Sequence, residues 1–375
     1  MKGDLDIVKT GLIERMRDVC QALLPTGREE SGQWVSFNPV TNDFSHANPA
    51  LKVRLRGGVV GAWKDWRCGD KGDALSLVAY ILRTDTAGAL VWGRDFLGLK
   101  TMSRADRENM RQVAAKARVD REKQDAAARA RKLAGASKLF YSAHAKYQAD
   151  RRFAMPAQLF AERYFAARNV PLAEIPTLNP DSFAFSPETE WWKGAVYRHE
   201  GGRRWKEAPG PGFPAVHAAM RNALGNVTAC HVTFLDPVKP AKAPVDPAKL
   251  MFGEALGAVI EISMGPNNCP FWHDDGSSPQ PVVLAEGIET ALAFAVSGVP
   301  ARIWACGSLA GIGGAPIELP CISWVVFARD NNAGNAQAQK QFAAALEKLE
   351  ASGKTIVVEA SHVGDDFNDL AQGEE

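Results

Sequence analysis

Apolar residues recur at helical spacing in two stretches near the start of the chain. The first stretch is 5–24, and the second, 74–82, follows Asp73, a residue type that caps helix N-termini well. Between these helices, short apolar or alternating stretches predict strands, and two adjacent glycines predict a hairpin between the last two. The predicted strands are 34–37, 51–55 and 59–63. The first hundred residues are therefore expected to form a small mixed module.

Residues 100–152 have a different character. They contain 15 Lys or Arg and 6 Asp or Glu, with much alanine, no proline and a single glycine, Gly135. This pattern predicts one long helix that links an N-terminal module to the rest of the chain. Two interpretations stay open: a charged, solvated helix without a partner, or a basic strut that contacts phosphate groups.

The remainder of the chain alternates between strand and helix patterns. A mixed α+β region, 153–280, contains a predicted helix at 159–168, a tight loop at 209–214 and a surface loop at 237–249. Its predicted strands are 195–197, 227–235 and 259–262. The last region, 281–375, contains strands at 281–285, 301–305, 324–328 and 354–359, with helices at 288–296 and 335–351. This alternation predicts a parallel sheet with right-handed crossovers.

Acidic residues follow three strands of this parallel sheet. Glu286 comes directly after the first strand, Asp330 after the third, and Asp365, Asp366 and Asp369 after the fourth. Since parallel strands end at one sheet edge, the carboxylates should converge, and a cluster of carboxylates needs a cation. Oxygen ligands select Mg²⁺ or Mn²⁺, so the cluster predicts a phosphoryl or nucleotidyl transfer site.

A simpler interpretation of these acids also stays open. Glu286 could cap the following helix, and the last aspartates could form a solvated tail. Capping does not explain why acids follow three different strands. Glu289 is interpreted as a helix N-terminal acid rather than a metal ligand.

Three segments resemble the motifs of the Toprim family. Residues 282–293 (VVLAEGIETALA) resemble its first motif, 325–334 (VVFARDNNAG) its aspartate motif, and 365–370 (DDFNDL) its closing acidic motif, in the same order and with matching spacing. The resemblance implies a Rossmann-like parallel-sheet domain over 281–375. It also implies catalytic residues and metal ligands. The catalytic set is Glu286, Asp330 and Asn332, and the metal ligands are Glu286, Asp330, Asp366 and Asp369.

Upstream segments extend the resemblance to primases. Residues 212–216 and 225–236 resemble the region before the Toprim domain in primase-like proteins of phages and mobile elements. Residues 63–79 (WKDWRCGDKGDALSLVA) resemble the second half of the zinc ribbon of DnaG-type primases, with 34–44 as its first half. The implied fold is α/β: a ribbon-like β module (1–99), the helical linker (100–152), a mixed α+β primase-type subdomain (153–280) and the Toprim domain (281–375).

Two departures from the family pattern change what is expected. Only Cys68 of the ribbon's metal ligands is present, with His46 the nearest other candidate, so a zinc-free module is predicted. Aromatic side chains are expected to hold it together: Trp34, Phe37, Phe44, Trp63 and Trp66. Asn332 stands where the family has its second aspartate. An amide oxygen can ligate Mg²⁺ but adds no negative charge, so weakened or lost activity is an open alternative.

Basic residues supply candidates for contact with nucleic acid. In primases, basic residues before the Toprim domain face the active-site groove, and here arginines alternate with aromatic residues over 191–206, which suits stacking on unpaired bases. A hairpin with a solvated turn is the alternative interpretation. The ribbon-like module offers a second set. The candidates are Arg54, Arg56, Lys64, Arg67, Lys71, Arg198, Arg203, Arg204 and Lys206.

Composition excludes several classes. The 6 cysteines are scattered, which is typical of free thiols in a cytoplasmic protein. No stretch has the apolar length of a membrane span, and the charged N-terminus lacks the pattern of a secretory signal. Nor does the sequence contain a P-loop, an HExxH or a GxSxG motif. The net charge of +1 conceals an asymmetry, because 281–375 carries −7 and the preceding residues carry +8.

The leading hypothesis is a primase-like nucleotidyltransferase of a phage or mobile element, acting in the cytoplasm of a bacterial host. It would use Mg²⁺ or Mn²⁺, without zinc, to make short RNA primers from ribonucleoside triphosphates on single-stranded DNA. A separate replicative helicase is a further expected partner, and no membrane is expected. Two alternatives remain: a catalytically weakened Toprim-fold accessory protein that binds single-stranded DNA, and a Toprim nuclease.

Overall fold

The computed structural model describes residues 2–42, 48–99, 104–149, 151–200, 203–329 and 336–360. The chain divides into two units, Met1–Ala127 and Ala128–Glu375, which we call unit 1 and unit 2. The helix α5 (Arg104–Ala149) begins in unit 1 and ends in unit 2. No single helix in the described part of the chain has the length and apolar content to cross a membrane; α3 (Ala74–Leu82) and α4 (Thr86–Phe96) pass that test only together, as a pair bent by 105°.

The described part of unit 1 contains a five-stranded antiparallel sheet whose strands lie side by side in chain order. Its strands are β1 (Arg28–Glu30), β2 (Gln33–Ser36), β3 (Leu51–Arg54), β4 (Trp63–Asp65) and β5 (Lys71–Gly72). Two further helices, α1 (Lys2–Glu14) and α2 (Met16–Leu23), join α3 and α4 around the core. Strand β3 buries Leu51 and Val53 and exposes Lys52 and Arg54, as its alternating pattern predicts.

Unit 1 departs from the sequence prediction in three places. The single helix predicted at 5–24 is two helices, because the backbone leaves the helical region at Arg15 (φ −108°, ψ 29°). The strand predicted at 59–63 is wrong: β4 begins only at Trp63, because Gly57, Gly58 and Gly61 all adopt positive φ and extend the turn. Helix α4 was not predicted. Helix α3 has the predicted bounds, and the Asp73 side chain accepts a hydrogen bond from the Ser76 amide.

The aromatic residues predicted to hold unit 1 together divide into two kinds. Trp34 and Trp63 are buried in the core, each 5% exposed, and Phe37 is half-buried. Phe44 lies outside the described residues. The prediction is wrong for Trp66, which is 65% exposed because it lies beyond the end of β4 and out of the sheet's buried face.

A buried hydrogen-bonded cluster lies where the zinc ribbon resemblance implies a metal knuckle. Asp65 is 1% exposed and accepts hydrogen bonds from the Asn38 side chain at 2.6 Å and from the Arg67 amide at 2.7 Å. Asn38 also donates to the Tyr80 hydroxyl at 2.9 Å. Cys68 is exposed, and its amide donates to Asp65 at 3.3 Å. These bonds tie the loop after β2, the end of β4 and helix α3 together.

In the described residues, the sheet of unit 2 has nine strands. The strand order is β11-β10-β9-β12-β14-β13-β15-β16, and β6 also pairs with β9. Their bounds are β6 (Phe183–Glu190), β9 (Gly212–Asn222), β10 (Val227–Phe234), β11 (Lys249–Gly253), β12 (Ala258–Ser263), β13 (Gln280–Ala285), β14 (Arg302–Ala305), β15 (Ile322–Arg329) and β16 (Ile356–Ala360). A separate hairpin is formed by β7 (Val196–Glu200) and β8 (Arg203–Ala208).

The parallel part of the sheet has helices on both faces. Strands β14, β13, β15 and β16 are parallel neighbours, whereas every other pair in the sheet is antiparallel. Val283 and Ala285 pack with α6 (Arg151–Ala166) and α7 (Ile288–Val296), while Val282 and Leu284 pack on the opposite face with α9 (Ala336–Glu350). A one-turn helix, α8 (Leu309–Ile312), lies in the connection between β14 and β15. Burial on both faces is typical of parallel strands.

Most elements predicted for unit 2 are present within a few residues. Strands β6, β8, β9 and β11 were not predicted, and β9 begins inside the predicted tight loop. One sheet joins strands of the predicted primase-type region to those of the Toprim region through the β12–β14 pair. The long helix α5 is not solvated along its whole length, because Ala136, Phe140 and Ala143 are buried in the unit 2 core.

Asp65→Ala should weaken unit 1. The change leaves the buried Asn38 side chain and two amides without their acceptor, so the opening free energy of β4 and α3 should fall by about 2–3 kcal/mol. Hydrogen–deuterium exchange of the full chain measures this. The exposed Asp18, in a surface ion pair with Arg15, is the matched control, and Asp18→Ala should change exchange by less than about 0.5 kcal/mol.

The hydrogen bonds to Asp65 also predict that the stability of unit 1 depends on pH. Burial alone raises the pKa of Asp65, but hydrogen bonds from Asn38 and from the Arg67 and Cys68 amides outweigh burial and lower it below 3.8. The stabilisation is therefore complete above the unfolded-state pKa and is lost as pH falls through the lowered folded-state value. Equal exchange in the wild type and Asp65→Ala at neutral pH would contradict the assignment.

Candidate active site

Glu286 is the predicted metal ligand whose position the structure describes. It follows the last residue of β13, at the carboxyl end of the parallel sheet, and its side chain is half-buried. Burial raises the pKa of this carboxyl group, although Lys249 nearby acts in the opposite direction. No residue in the described ranges hydrogen-bonds to the carboxylate or forms an ion pair with it, so it is available to an external cation.

The neighbouring strand ends at the same edge. Strand β15 pairs with β13 in parallel, with Leu284 opposite Phe327, and its last residue is Arg329. Asp330 is the next residue in the chain, but Asp330 and Asn332 lie outside the described residues, as do Asp365, Asp366 and Asp369, which follow β16. The described residues alone contain no group of three potential metal ligands. Of the four predicted metal ligands, only Glu286 therefore lies within the described residues.

A cation-lined cavity opens beside Glu286. Its volume is about 300 Å³, and it reaches from Glu286 and the first turn of α7 to strand β10. The cations come from three places: Arg168 just after α6, Lys242 in the loop before β11, and Lys249 at the start of β11. The sequence analysis did not single out these three residues, because it interpreted 237–249 only as a surface loop and 159–168 only as a helix.

Glu289 is the counter-ion of this cavity. It is 6% exposed, and its carboxylate accepts hydrogen bonds from Lys249 at 2.7 Å and from the Tyr164 hydroxyl at 2.7 Å. Lys242 lies 3.4 Å away. Burial alone raises the pKa of Glu289, but the two lysines outweigh it and hold the carboxylate ionised. Glu289 does lie in the first turn of α7, as predicted, but its role is ion pairing with residues distant in sequence.

His231 forms the far wall of the cavity. It lies on β10 and is 9% exposed, and its Nδ1 has no hydrogen-bond partner among the described residues. Burial and the nearby Lys249 lower its pKa to about 4, so the imidazole is neutral at physiological pH. The sequence offered no signal for this residue other than its place in the segment 225–236.

In unit 1, a row of lysines crosses the sheet. Lys52 lies opposite Lys64, and Lys64 lies opposite Lys71, so the three point from one face of β3, β4 and β5. No described acid pairs with them. Like charges directly opposite each other destabilise a sheet. The exposed Trp66 ring lies beneath the Lys64 ammonium, 3.7 Å from its centroid. Lys52 and Trp66 were not among the predicted binding residues.

The other predicted basic residues of unit 1 have different surroundings. Arg54 is exposed on the same face of β3 as Lys52. Arg56 pairs with Glu29 at 3.3 Å, and the Arg67 guanidinium donates to the Asn48 carbonyl at 3.0 Å. Arg56 and Arg67 are therefore engaged within the module.

In the β7–β8 hairpin, the two predicted basic residues with described side chains are paired with acids of their own region. Arg198 pairs with Glu207 at 2.5 Å, and Lys206 pairs with Glu190 at 2.7 Å. Arg203 and Arg204 lie in β8, and their side chains are outside the described set. Trp191 and Trp192 pack at the unit 2 core rather than along an open face. This geometry is closer to the alternative interpretation, a hairpin with a solvated turn.

Comparison with known proteins assigns two segments of the chain. Residues 142–262 match the model of a domain of unknown function (DUF7146), and residues 281–374 match the Toprim domain model. No curated protein sequence matches the chain.

Several solved structures resemble the fold. The zinc-binding and RNA polymerase domains of the Aquifex aeolicus primase are 12% identical, cover 100% of this chain and 83% of theirs, and give a TM-score of 0.35. A DnaG primase catalytic domain bound to single-stranded DNA is 16% identical. The match covers 65% of this chain and 79% of that domain's chain, with a TM-score of 0.43. The E. coli primase catalytic core is 15% identical. The match covers 63% of this chain and 76% of the E. coli chain, with a TM-score of 0.41. These TM-scores lie below 0.5, and no functional conclusion follows from them.

The family match and the sheet topology agree over the end of the chain. The matched segment contains β13, α7, β14, β15, α9 and β16, and its strands are parallel, as the alternation of strand and helix patterns predicted. The expected fold class, a mixed α/β chain with the parallel sheet at its C-terminal end, is confirmed. Residues 281–374 of this chain are a Toprim domain.

Proposed function

We propose that the chain is a primase-like nucleotidyltransferase that makes short RNA primers from ribonucleoside triphosphates on single-stranded DNA. The observation that carries the proposal is the Toprim match together with Glu286 at the carboxyl end of β13, an unpaired carboxylate at the ligand-binding edge of a parallel sheet. The resemblance of the sequence motifs to DnaG-type primases indicates primer synthesis as the reaction at this site. Such an enzyme would act in the cytoplasm of a bacterial host, alongside a separate replicative helicase.

The residues fit a divalent metal. Glu286 has no protein partner among the described residues and is half-buried, which suits a carboxylate that shares a cation. Asp330 follows the last residue of β15, the parallel neighbour of β13, and the sequence adds Asp366 and Asp369. These residues would hold Mg²⁺ or Mn²⁺, with Asn332 as a neutral ligand. When bound, the ion neutralises charge on the phosphate oxygens during transfer.

The lysine row of unit 1 supports a template-binding role for that unit. Lys52, Lys64 and Lys71 repel one another unless an external anion lies across them, and a phosphate backbone supplies evenly spaced anions. Trp66 is exposed beside Lys64 and offers a face for stacking an unpaired base. Arg54 would extend the row along β3. A row of cations next to an aromatic face suits single strands better than a duplex, whose bases are already stacked.

Asn332 favours one alternative function. A neutral ligand in place of a carboxylate lowers metal affinity, so an accessory protein that binds single-stranded DNA without catalysis would retain the same surfaces. A Toprim nuclease is the third candidate. Product analysis separates the three: extended oligoribonucleotide, no product, or cleaved DNA.

Charge changes at the Toprim edge should alter primer synthesis in opposite directions. Glu286→Gln keeps the side-chain size and removes the charge, so template-dependent product should fall by roughly 100-fold or more. Asn332→Asp adds ligand charge, so the Mg²⁺ concentration for half-maximal product should fall roughly tenfold. Both are measured by primer synthesis on a single-stranded template with Mg²⁺ or Mn²⁺.

Asp275→Asn, which removes a charge from an exposed loop of the same unit, is the control and should leave product unchanged. If the wild type makes no template-dependent oligoribonucleotide with either metal, the proposed activity is wrong. Tight DNA binding without product would then identify the accessory protein, and metal-dependent DNA cleavage the nuclease.

Removing the aromatic face of unit 1 should weaken template binding. Trp66→Ala should lower the affinity of the full chain for a fluorescent oligothymidine roughly tenfold, since stacking contributes about 1–3 kcal/mol per base. Changing Lys52, Lys64 and Lys71 together to Ala should reduce the slope of log affinity against log salt by about 2. Fluorescence anisotropy at several salt concentrations measures both effects. Trp324→Ala, at an exposed tryptophan of β15, is the control; equal losses in Trp66→Ala and Trp324→Ala would argue against a specific platform.

A further inference from the structure

The cavity beside Glu286 has more positive charge than its fixed counter-ion can balance. Lys242 and Lys249 share one carboxylate, that of Glu289, whose oxygens are already engaged by these lysines and by Tyr164. Arg168 lies 5.1 Å from the Tyr164 ring and forms no ion pair within the described part of the chain. Glu286 also lines the cavity, so three cations face two carboxylates, and the excess of positive charge leaves an attraction for a further anion.

The geometry of the cavity is fixed by buried contacts. The Glu289 network joins α6 through Tyr164, β11 through Lys249 and the first turn of α7, so the cations cannot spread apart to relieve their repulsion. The first turn of α7 borders the cavity through Gly287, Ile288, Glu289 and Thr290, and Gly287 leaves that turn without a side-chain cap. Uncapped amides at a helix N-terminus favour an anion. At about 300 Å³, the cavity has the size of a small-ligand site.

His231 has a defined hydrogen-bonding state in this cavity. Its Nδ1 is buried with no partner among the described residues. A buried N–H without an acceptor is rarer in proteins than a buried acceptor without a donor, so the proton of the neutral ring belongs on Nε2. The ring then carries one donor, and the imidazole borders a cavity lined with cations.

We propose that His231 is a positioning residue, donating from Nε2 to a phosphate oxygen of a nucleotide whose phosphates lie among Arg168, Lys242 and Lys249. The proposal rests on the proposed function for the identity of the nucleotide, a nucleoside triphosphate. A neutral donor has a role that a fourth cation would not fill, because it orients one oxygen without strengthening the repulsion among the cations. The phosphate binding itself requires neither metal nor template.

The test uses inorganic tripolyphosphate as the probe, with the full chain and EDTA, by isothermal titration calorimetry. His231→Leu keeps the ring's approximate volume and removes the donor, so affinity should fall about tenfold, as for one hydrogen bond to a charged acceptor. His231→Gln places an amide N–H near the position of Nε2 and should restore affinity to within roughly threefold of the wild type. Rescue by Gln is a result that a merely structural role for the ring does not produce.

His217→Gln is the matched control. His217 is 2% exposed on β9, the strand next to β10, and both of its ring nitrogens have partners, Thr189 and Cys230. It is not among the side chains described around the cavity, so its replacement should leave tripolyphosphate affinity unchanged. Thermal denaturation of each variant checks that the fold is retained.

The outcomes separate this proposal from the proposed function. Loss of tripolyphosphate affinity in His231→Leu with rescue in His231→Gln supports the role of His231 even if the protein makes no primer. Unchanged affinity in His231→Leu overturns it even if the protein is an active primase. Equal losses in His231→Leu and His231→Gln would also overturn it, because the donor would then make no difference.

Discussion

The double burial of strand β13 is the constraint on which the candidate active site depends. β13 is hydrogen-bonded to parallel strands on both edges, and its side chains pack alternately into two separate cores. A register slip of one residue would exchange the two sets of side chains and misfit both faces. The strand therefore ends where the packing dictates, and Glu286, the first residue after it, is held at the sheet edge by contacts that do not involve its own carboxylate. That arrangement lets a half-buried carboxylate keep a raised pKa with no bonded partner among the described residues.

Electrostatic pairing explains why two acids only three residues apart have different surroundings. Glu289 points into a cluster with Tyr164, Lys242 and Lys249 and is held ionised there, whereas Glu286 has Lys249 nearby but no bonded partner. The lysines lie about 40 positions upstream in a segment with no regular pattern, and only the pairing of β11 with β10 brings Lys249 to the cavity. A carboxylate saturated in this way is a poor candidate for a metal ligand, and one left unpaired is a better candidate.

The sequence predicted the parallel half of the fold well because its signals are local. Strands β13 to β16 are continuous apolar runs bounded by turn residues, and each lies within about two residues of its predicted bounds, as does helix α7. Strand β6 was missed because its apolar residues are followed by Pro187 and three polar residues, and its pairing with β9 is a long-range interaction. The cavity was missed for the same reason: Arg168, His231 and Lys249 come from three segments, and no local pattern links them.

In unit 1, hydrogen bonds hold the turn after β4, at the place where the resemblance to a zinc ribbon implies a metal knuckle. In a ribbon, a knuckle is fixed because a cation draws several side chains to one point. In unit 1 the central group is an anion instead. The buried Asp65 carboxylate accepts hydrogen bonds from the Asn38 amide group and from the backbone N–H groups of Arg67 and Cys68. The hydrogen bonds from amide donors lower the pKa of Asp65 despite burial, so the anion is stable at neutral pH. A carboxylate that is already satisfied by amide donors has little remaining capacity for a cation. The chemistry of the cluster therefore favours a turn closed by hydrogen bonds to Asp65.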